Sequence, residues 1–147
     1  MRIKVIFLCA MLAVAAVLAA CAAEGSHEVS LDVSCDEFMA EQHMIKTIEA
    51  AAGDIIKVTL CSNATTGFQW AEEAQVGNTA ILKQTSHLFV PPQSEGNNSM
   101  IVGAPGQEVW TFKALQKGQT TVSFNYSRPW EGGEKGVWTL ALTVDVE

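Results

Sequence analysis

Apolar and polar residues alternate along four segments of this chain, and the alternation limits its possible folds more than any other feature. Successive side chains of a β-strand point to opposite faces, so a period of two predicts a strand with one buried face. In the first segment, Lys57 and Thr59 are expected to face solvent. The inward-facing residues of the four predicted strands are Ile56, Val58 and Leu60; Trp110, Phe112 and Ala114; Val122, Phe124 and Tyr126; and Trp138, Leu140, Leu142, Val144 and Val146.

Turn-forming pairs separate these predicted strands, at Gly53-Asp54, Lys117-Gly118 and Gly132-Gly133. Two weaker strands are predicted around Ala80–Leu82 and Leu88–Val90, and one or two helical turns between Asp36 and Ile45. Several short strands with one apolar face each, and no strong helix, predict an all-β fold, an antiparallel β-sandwich.

The N-terminal residues are typical of a secretory signal rather than of a folded domain. A basic segment, M-R-I-K, precedes an apolar run that ends in L-A-A-C, Leu18 to Cys21. These four residues resemble the bacterial lipobox, which implies cleavage before Cys21 and attachment of lipid to its thiol. Residues 1–20 are thus predicted to be a lipoprotein-type signal peptide, residues 21–30 a tether and residues 31–147 the folded domain, anchored on the outward face of a cell membrane. The alternatives are an ordinary signal peptide and an uncleaved membrane helix, because the run approaches the spanning length of about 17–20 residues.

The chain from Cys21 onward is acidic. Its 127 residues are enough for one domain with its own core, and seven basic residues face sixteen acidic ones, a net charge of −9 at pH 7. Because nucleic acids attract clustered Lys and Arg, this balance argues against a nucleic-acid partner.

Of the four cysteines, Cys9 belongs to the predicted signal and Cys21 to the predicted lipid site. The remaining pair, Cys35 and Cys61, predicts a disulfide in an oxidising compartment, with two buried free thiols as the alternative. No metal site or other cofactor is predicted, since His27, His43 and His87 lie at no ligand spacing to the cysteines or to one another.

Three segments interrupt the alternation and are predicted to be exposed loops. Loop 1 is N-A-T-T-G-F, Asn63–Phe68; loop 2 is G-A-P-G, Gly103–Gly106; loop 3 is S-R-P-W-E-G-G, Ser127–Gly133. The chain direction of a sandwich could bring all three to the same end, although the weak strands in the middle leave that count open.

Loops 1 and 3 have the composition of a binding surface. Gly67 allows a positive φ behind two stiff threonines, and the Asn63 side chain can bond the backbone two residues on. In loop 3, Pro129 restricts its neighbours, so that Arg128 and Trp130 are held in place. Arg and Trp are frequent in binding hot spots. The alternatives are a plain solvent-exposed loop 1, a glycosylated Asn63, and a Trp130 that folds back over its own hairpin.

No catalytic set is found. The sequence has no G-x-S-x-G, no P-loop and no histidine beside a plausible nucleophile motif. We therefore expect a binding protein and not an enzyme.

In order and spacing, the three loops resemble the N-P-T-T-G-F, G-x-x-G and R-P-W motifs of the chagasin-type inhibitors of papain-like cysteine proteases, over roughly Ala50 to Val146. The resemblance implies an immunoglobulin-like β-sandwich whose three loops form a wedge that reversibly blocks the protease cleft. We also expect the protein to act as a monomer without a cofactor. The protease-binding residues that it implies are Asn63, Ala64, Thr65, Thr66, Gly67, Phe68, Gly103, Ala104, Pro105, Gly106, Arg128, Pro129 and Trp130. Ala64 stands where the family has proline, which removes one stiffening residue from loop 1, the tip of the wedge.

The same loops would also suit a second class of protein, an immunoglobulin-like adhesion or ligand-binding lipoprotein with a different partner. Loop composition does not separate the two classes, because a fold does not determine a function.

Overall fold

The computed structural model of the protein describes residues 25–94, 97–100 and 103–147. The predicted signal peptide, Cys21 and the first residues of the predicted tether lie outside the described residues. Within these ranges no helix is both long enough and apolar enough to cross a membrane. The elements are β1 (Glu28–Val33), α1 (Cys35–Ala40), β2 (His43–Ala50), β3 (Ile55–Ser62), β4 (Gln69–Trp70), β5 (Gln75–Val76), β6 (Leu82–Val90), β7 (Gln93–Ser94), β8 (Asn97–Met100), β9 (Gly106–Ala114), β10 (Gly118–Ser127) and β11 (Trp138–Val146).

Two sheets enclose the core. The first has the strand order β1-β3-β9-β6, and the second has the order β2-β11-β10-β4, with β5 also paired to β10. The short β7 and β8 form a separate hairpin. On β9, β10 and β11, alternate residues are buried as the sequence predicts, which confirms the β-sandwich.

The prediction that all strand pairs are antiparallel is wrong, because two pairs are parallel. β1 runs parallel to β3, with Glu28 opposite Ile55 and Val33 opposite Leu60, and β2 runs parallel to β11. The reason lies in α1, which connects β1 in one sheet to β2 in the other. Each of these two strands therefore joins the outer edge of a different sheet, where its direction is not set by a hairpin turn.

The N-terminal elements also correct two predicted boundaries. β1 begins at Glu28, three residues before the predicted start of the domain, so the end of the predicted tether belongs to a sheet. The predicted helix is present but stops at Ala40, and His43 already lies in β2. A capping box starts this helix: Ser34 Oγ accepts from Glu37 N, and the Glu37 carboxylate accepts from Ser34 N.

Two further predictions are wrong: the separation of two weak strands in the middle of the chain, and the exposure of Thr59. The two weak strands form one strand, β6, whose register shifts between Gln84 and Ser86. This bulge breaks the alternation, and β6 is an edge strand with an exposed Leu88 and Phe89, so its pattern carries little signal. Thr59, expected to face solvent, is only 5% exposed. It lies on β3, an inner strand with neighbours on both edges.

Candidate functional site

Strand register brings the three loops to one end of the sandwich. β3 ends at Ser62, which pairs with Gly106 at the start of β9, so loop 1 and loop 2 extend from neighbouring strands. On the other side of loop 1, Gln69 of β4 pairs with Ser127 at the end of β10, where loop 3 begins. Neighbouring strands lie about 4.8 Å apart. The bases of the three loops are therefore adjacent, with loop 1 in the middle.

Loop 1 forms a short 3₁₀ turn, Ala64–Thr66, that its own side chains close. The Asn63 side-chain oxygen accepts from Thr65 N at 3.2 Å and from Thr65 Oγ1 at 2.6 Å. Thr66 Oγ1 donates to Asn63 O at 2.7 Å, and Gly67 N donates to Ala64 O at 3.2 Å. Gly67 has a φ of 79°. Both the brace from Asn63 and the positive φ of Gly67 are as predicted.

Aromatic rings support loop 1 from inside the sandwich. Phe68 stacks on Tyr126 with 5.6 Å between ring centroids, and Tyr126 stacks in turn on Trp138 at 4.9 Å. The Tyr126 hydroxyl accepts from Asn63 N at 2.8 Å, which holds the first residue of the loop. The sequence placed Tyr126 in the core but missed this bond, because alternation predicts the face of a residue and not its hydrogen-bond partner.

Arg128 joins loop 3 to loop 1. Its guanidinium carbon lies 4.3 Å from the centre of the Phe68 ring, a cation–π contact. Nη2 lies 3.5 Å from Thr66 O, and Nη1 lies 3.4 Å from a Glu134 carboxylate oxygen. Much of its side chain is thus engaged within the loops, and it braces them against each other.

Trp130 is 52% exposed and lies over Gly67. A Cβ placed on Gly67 would lie 2.8 Å from Trp130 Cη2, so the indole packs too closely on Gly67 to leave room for a side chain there. The Trp130 carbonyl accepts from Lys135 Nζ at 2.9 Å and from Gly133 N at 3.1 Å. The Trp130 backbone is therefore held in place, and about half of the side chain is exposed to solvent. The other half packs on loop 1 and beside Gly133 of its own hairpin.

In loop 2, the two glycines have different roles. Gly103 is exposed with a φ of 85°, as a tight turn requires. Gly106 is buried, and a Cβ there would lie 2.5 Å from Val90 O, so this glycine lets β9 approach β6 closely. Pro105 is exposed and Ala104 is half-buried between them.

An apolar groove of about 460 Å³ opens between loops 1 and 2. Its walls come from both loops, from α1 and from the aromatic residues below loop 1; they include Met39, Thr66, Phe68, Pro105 and Trp138. The groove and the exposed Trp130 indole thus place apolar surface beside a loop 1 that carries no charged side chain.

Cys35 and Cys61 form the predicted disulfide, with their Cα atoms 5.1 Å apart. The bond joins the first residue of α1 to β3, one residue before Ser62. It therefore ties α1 to the strand from which loop 1 extends.

Comparison with known proteins identifies the family. Residues 49–144 match the family described as Chagasin family peptidase inhibitor I42. Amoebiasin-2 of Entamoeba histolytica is 29% identical over 106 residues, which cover 72% of this chain and 81% of the relative. Chagasin of Trypanosoma cruzi is 31% identical over 94 residues, which cover 64% of this chain and 83% of the relative.

Solved structures agree with these relatives. The cysteine protease inhibitor EhICP2 of Entamoeba histolytica superposes with a TM-score of 0.61 at 25% identity, covering 84% of this chain and all of that one. PbICP-C, solved in complex with falcipain-2, gives a TM-score of 0.52 at 17% identity, covering 83% of this chain and all of that one, and supports the fold. No comparison supports the adhesion alternative. The matched family covers more than half of the chain and consists of inhibitors rather than enzymes, and the chain therefore belongs to the chagasin family of peptidase inhibitors.

Proposed function

We propose that this protein reversibly inhibits papain-like cysteine proteases by inserting loop 1 into the active-site cleft, with loops 2 and 3 against the two cleft walls. The observation that carries the proposal is the strand register at Ser62–Gly106 and Gln69–Ser127, which fixes the three motif-bearing loops side by side. Membership of a peptidase-inhibitor family supports it, as do the names of the relatives.

The tip is suited to burial in a narrow cleft. Charges are costly to bury, and residues 63–68 carry none. Buried hydroxyls also cost free energy unless they are bonded. Here the Thr65 and Thr66 hydroxyls already donate within loop 1, to the Asn63 side chain and to the Asn63 carbonyl. Burial of these two hydroxyl groups in the cleft therefore leaves neither donor without a partner.

The same bonds explain how the tip would resist cleavage. A peptide bond reacts when its carbonyl is held in near-attack geometry beside the nucleophile. In loop 1 the backbone is a 3₁₀ turn closed by Gly67 N, and its first residue is held by the Tyr126 hydroxyl. The backbone therefore keeps its turn in the cleft and does not extend as a substrate does.

The walls of the cleft would be contacted by Trp130 on one side and by Pro105 and its neighbours on the other. Large aromatic anchors supply much of the energy of protein interfaces. The apolar groove beside Phe68 would accommodate an apolar side chain from the protease.

The proposal is tested with the soluble domain from Ala22 onward, titrated against papain and a cathepsin, with trypsin as the control. We expect saturable inhibition of both cysteine proteases, recovery of their activity on dilution, and no effect on trypsin. A folded domain that leaves both cysteine proteases fully active at micromolar concentration would contradict the proposal.

We propose further that the full chain is a lipoprotein, made with a signal peptide of residues 1–20 and anchored to the outward face of a membrane through Cys21. The L-A-A-C sequence supports this. Protein purified from membranes of a bacterial host should have the mass of a chain that begins at Cys21 plus the mass of attached acyl chains. The Cys21→Ser variant should lack this added mass. An unmodified Cys21 in the mature protein would contradict the anchor.

The disulfide is expected to stabilise both the fold and the tip. Removing a bond that closes a loop of this length costs roughly 3–4 kcal/mol on the chain-entropy model. The double variant Cys35→Ser/Cys61→Ser should therefore show a lower free energy of unfolding in urea and weaker inhibition of papain. Serine variants are preferable to reduction because cysteine proteases are assayed with a thiol reductant. Unchanged inhibition by the folded double variant would mean that the bond does not brace loop 1.

A further inference from the structure

Loop 1 connects the two sheets of the sandwich. Its preceding residue, Ser62, ends β3 in the first sheet, and the residues that follow it, Gln69 and Trp70, form β4 in the second. No ladder of backbone hydrogen bonds links β3 to β4, since each pairs with other strands. The separation of the two ends of the loop therefore depends on contacts other than a direct pairing of these strands.

One carboxylate reaches both ends. Glu108 Oε1 accepts from Ser62 Oγ at 2.7 Å and lies 3.4 Å from Trp70 N, which donates to it. The other oxygen, Oε2, is 2.8 Å from His87 Nε2 on the edge strand β6. A single side chain thus joins the residue before loop 1, a residue after it, and a third strand.

Glu108 is 5% exposed and lies on the inward face of β9, the face that also carries Trp110, Phe112 and Ala114. A buried carboxylate is costly even when it is paired, and an apolar residue often serves stability as well or better. Its two oxygens are nevertheless occupied by three partners at the base of the tip. The arrangement therefore indicates a role in the geometry of loop 1.

We propose that Glu108 is a positioning residue, which holds the two ends of loop 1 at the separation that docking into a protease cleft requires. The inference rests on the proposed inhibitory function, in which a preformed tip binds more tightly because less ordering is left to binding. Two neighbouring bonds act in the same place: Trp70 Nε1 donates to Cys61 O at 2.9 Å, and Asn63 N donates to the Tyr126 hydroxyl. These bonds remain without Glu108, so its removal should loosen the tip rather than release it.

Three variants test this proposal. Glu108→Ala removes all three contacts, whereas Glu108→Gln keeps a side-chain oxygen that can accept from Ser62 and Trp70. Val144→Ala is the matched control, because Val144 is buried on β11 opposite Thr120, towards the end of the sandwich away from the loops. Each is measured for its inhibition constant with papain, its stability in urea, and the hydrogen exchange of the Thr66 and Gly67 amides, which are bonded within the tip.

We expect Glu108→Ala to raise the inhibition constant about tenfold, as fits the loss of buried hydrogen bonds, and to speed exchange at Thr66 and Gly67. Glu108→Gln should recover most of the wild-type affinity, and Val144→Ala should lose stability without a change in affinity or in tip exchange. If Glu108→Ala does not fold, Ser62→Ala removes one donor and leaves the carboxylate in place; it should then speed the same two exchanges.

The proposal is overturned if the folded Glu108→Ala variant is less stable but keeps the wild-type inhibition constant and tip exchange, because Glu108 would then serve the core alone. A wild-type domain that inhibits no papain-like protease would instead refute the proposed function. In that case exchange still decides the positioning role: faster exchange in Glu108→Ala supports it, and unchanged exchange overturns it.

Discussion

Gly67→Ala should weaken inhibition of papain by about 30- to 100-fold, which corresponds to 2–3 kcal/mol. Two costs add at this position. A left-handed backbone costs a residue with a Cβ about 1–2 kcal/mol, and Gly67 has a φ of 79°. The added Cβ would also lie 2.8 Å from Trp130 Cη2, so that the indole or the tip must move. A single methyl group therefore disturbs both loop 1 and loop 3.

Gly53→Ala is the matched control for this prediction. Gly53 also has a positive φ, 97°, but its Cβ would meet nothing within 4 Å. It lies beside the end of β9, where Gly53 N donates to Ala114 O, at the end of the sandwich opposite the loops. We expect it to lose stability and to keep the wild-type inhibition constant. An equal loss of affinity in both variants would show that the effect of Gly67→Ala comes from general destabilisation.

Trp130→Ala should weaken inhibition about thirtyfold, or about 2 kcal/mol, as expected for a large aromatic anchor. The indole is half-exposed in the free protein, and its backbone is fixed by Lys135 and Gly133, so its apolar surface is ready for burial. Truncation should change stability little, because the ring contributes little to the core. The inhibition constant with papain and the urea midpoint separate the two effects.

Leu115→Ala provides the control for Trp130. Leu115 is also a large apolar residue, 44% exposed, but it lies just after β9 at the opposite end of the molecule. Its removal should leave inhibition unchanged. A change of less than twofold for the folded Trp130→Ala variant would mean that the indole packs only on its own protein and does not contact the protease.

The sequence predicts the inner strands well and the edge strands poorly, for a physical reason. β10 and β11 each present a buried face along their whole length, so their alternation is complete. β6 lies at an edge with a bulge, and β1 and β2 pair with distant strands in a direction that no local pattern encodes. Direction and register depend on long-range pairing, which a window of neighbouring residues does not contain.

The candidate site shows the same division. Gly67 and Asn63 act through bonds within a few residues, so their local roles follow from residue type. Arg128 remains a predicted contact with the protease, but its guanidinium also lies over Phe68, and a contact so distant in sequence is not visible in the local pattern. The position of Glu108 in the sequence already indicates that it is buried, because it falls on the apolar face of the β9 alternation. A charged residue at such a position indicates a bonded partner, although it does not identify that partner.

The parallel pairing of β1 with β3 determines at which end the chain enters the sandwich. β3 runs from Ile55 towards Ser62 and loop 1, and Glu28 lies opposite Ile55 at its start. The chain therefore enters the sandwich at the pole opposite the tip, about 25 Å away for eight strand residues at roughly 3.3 Å each. Any surface that holds the protein by its N-terminal segment would have the tip pointing outwards, where a protease can approach from solution without meeting that surface.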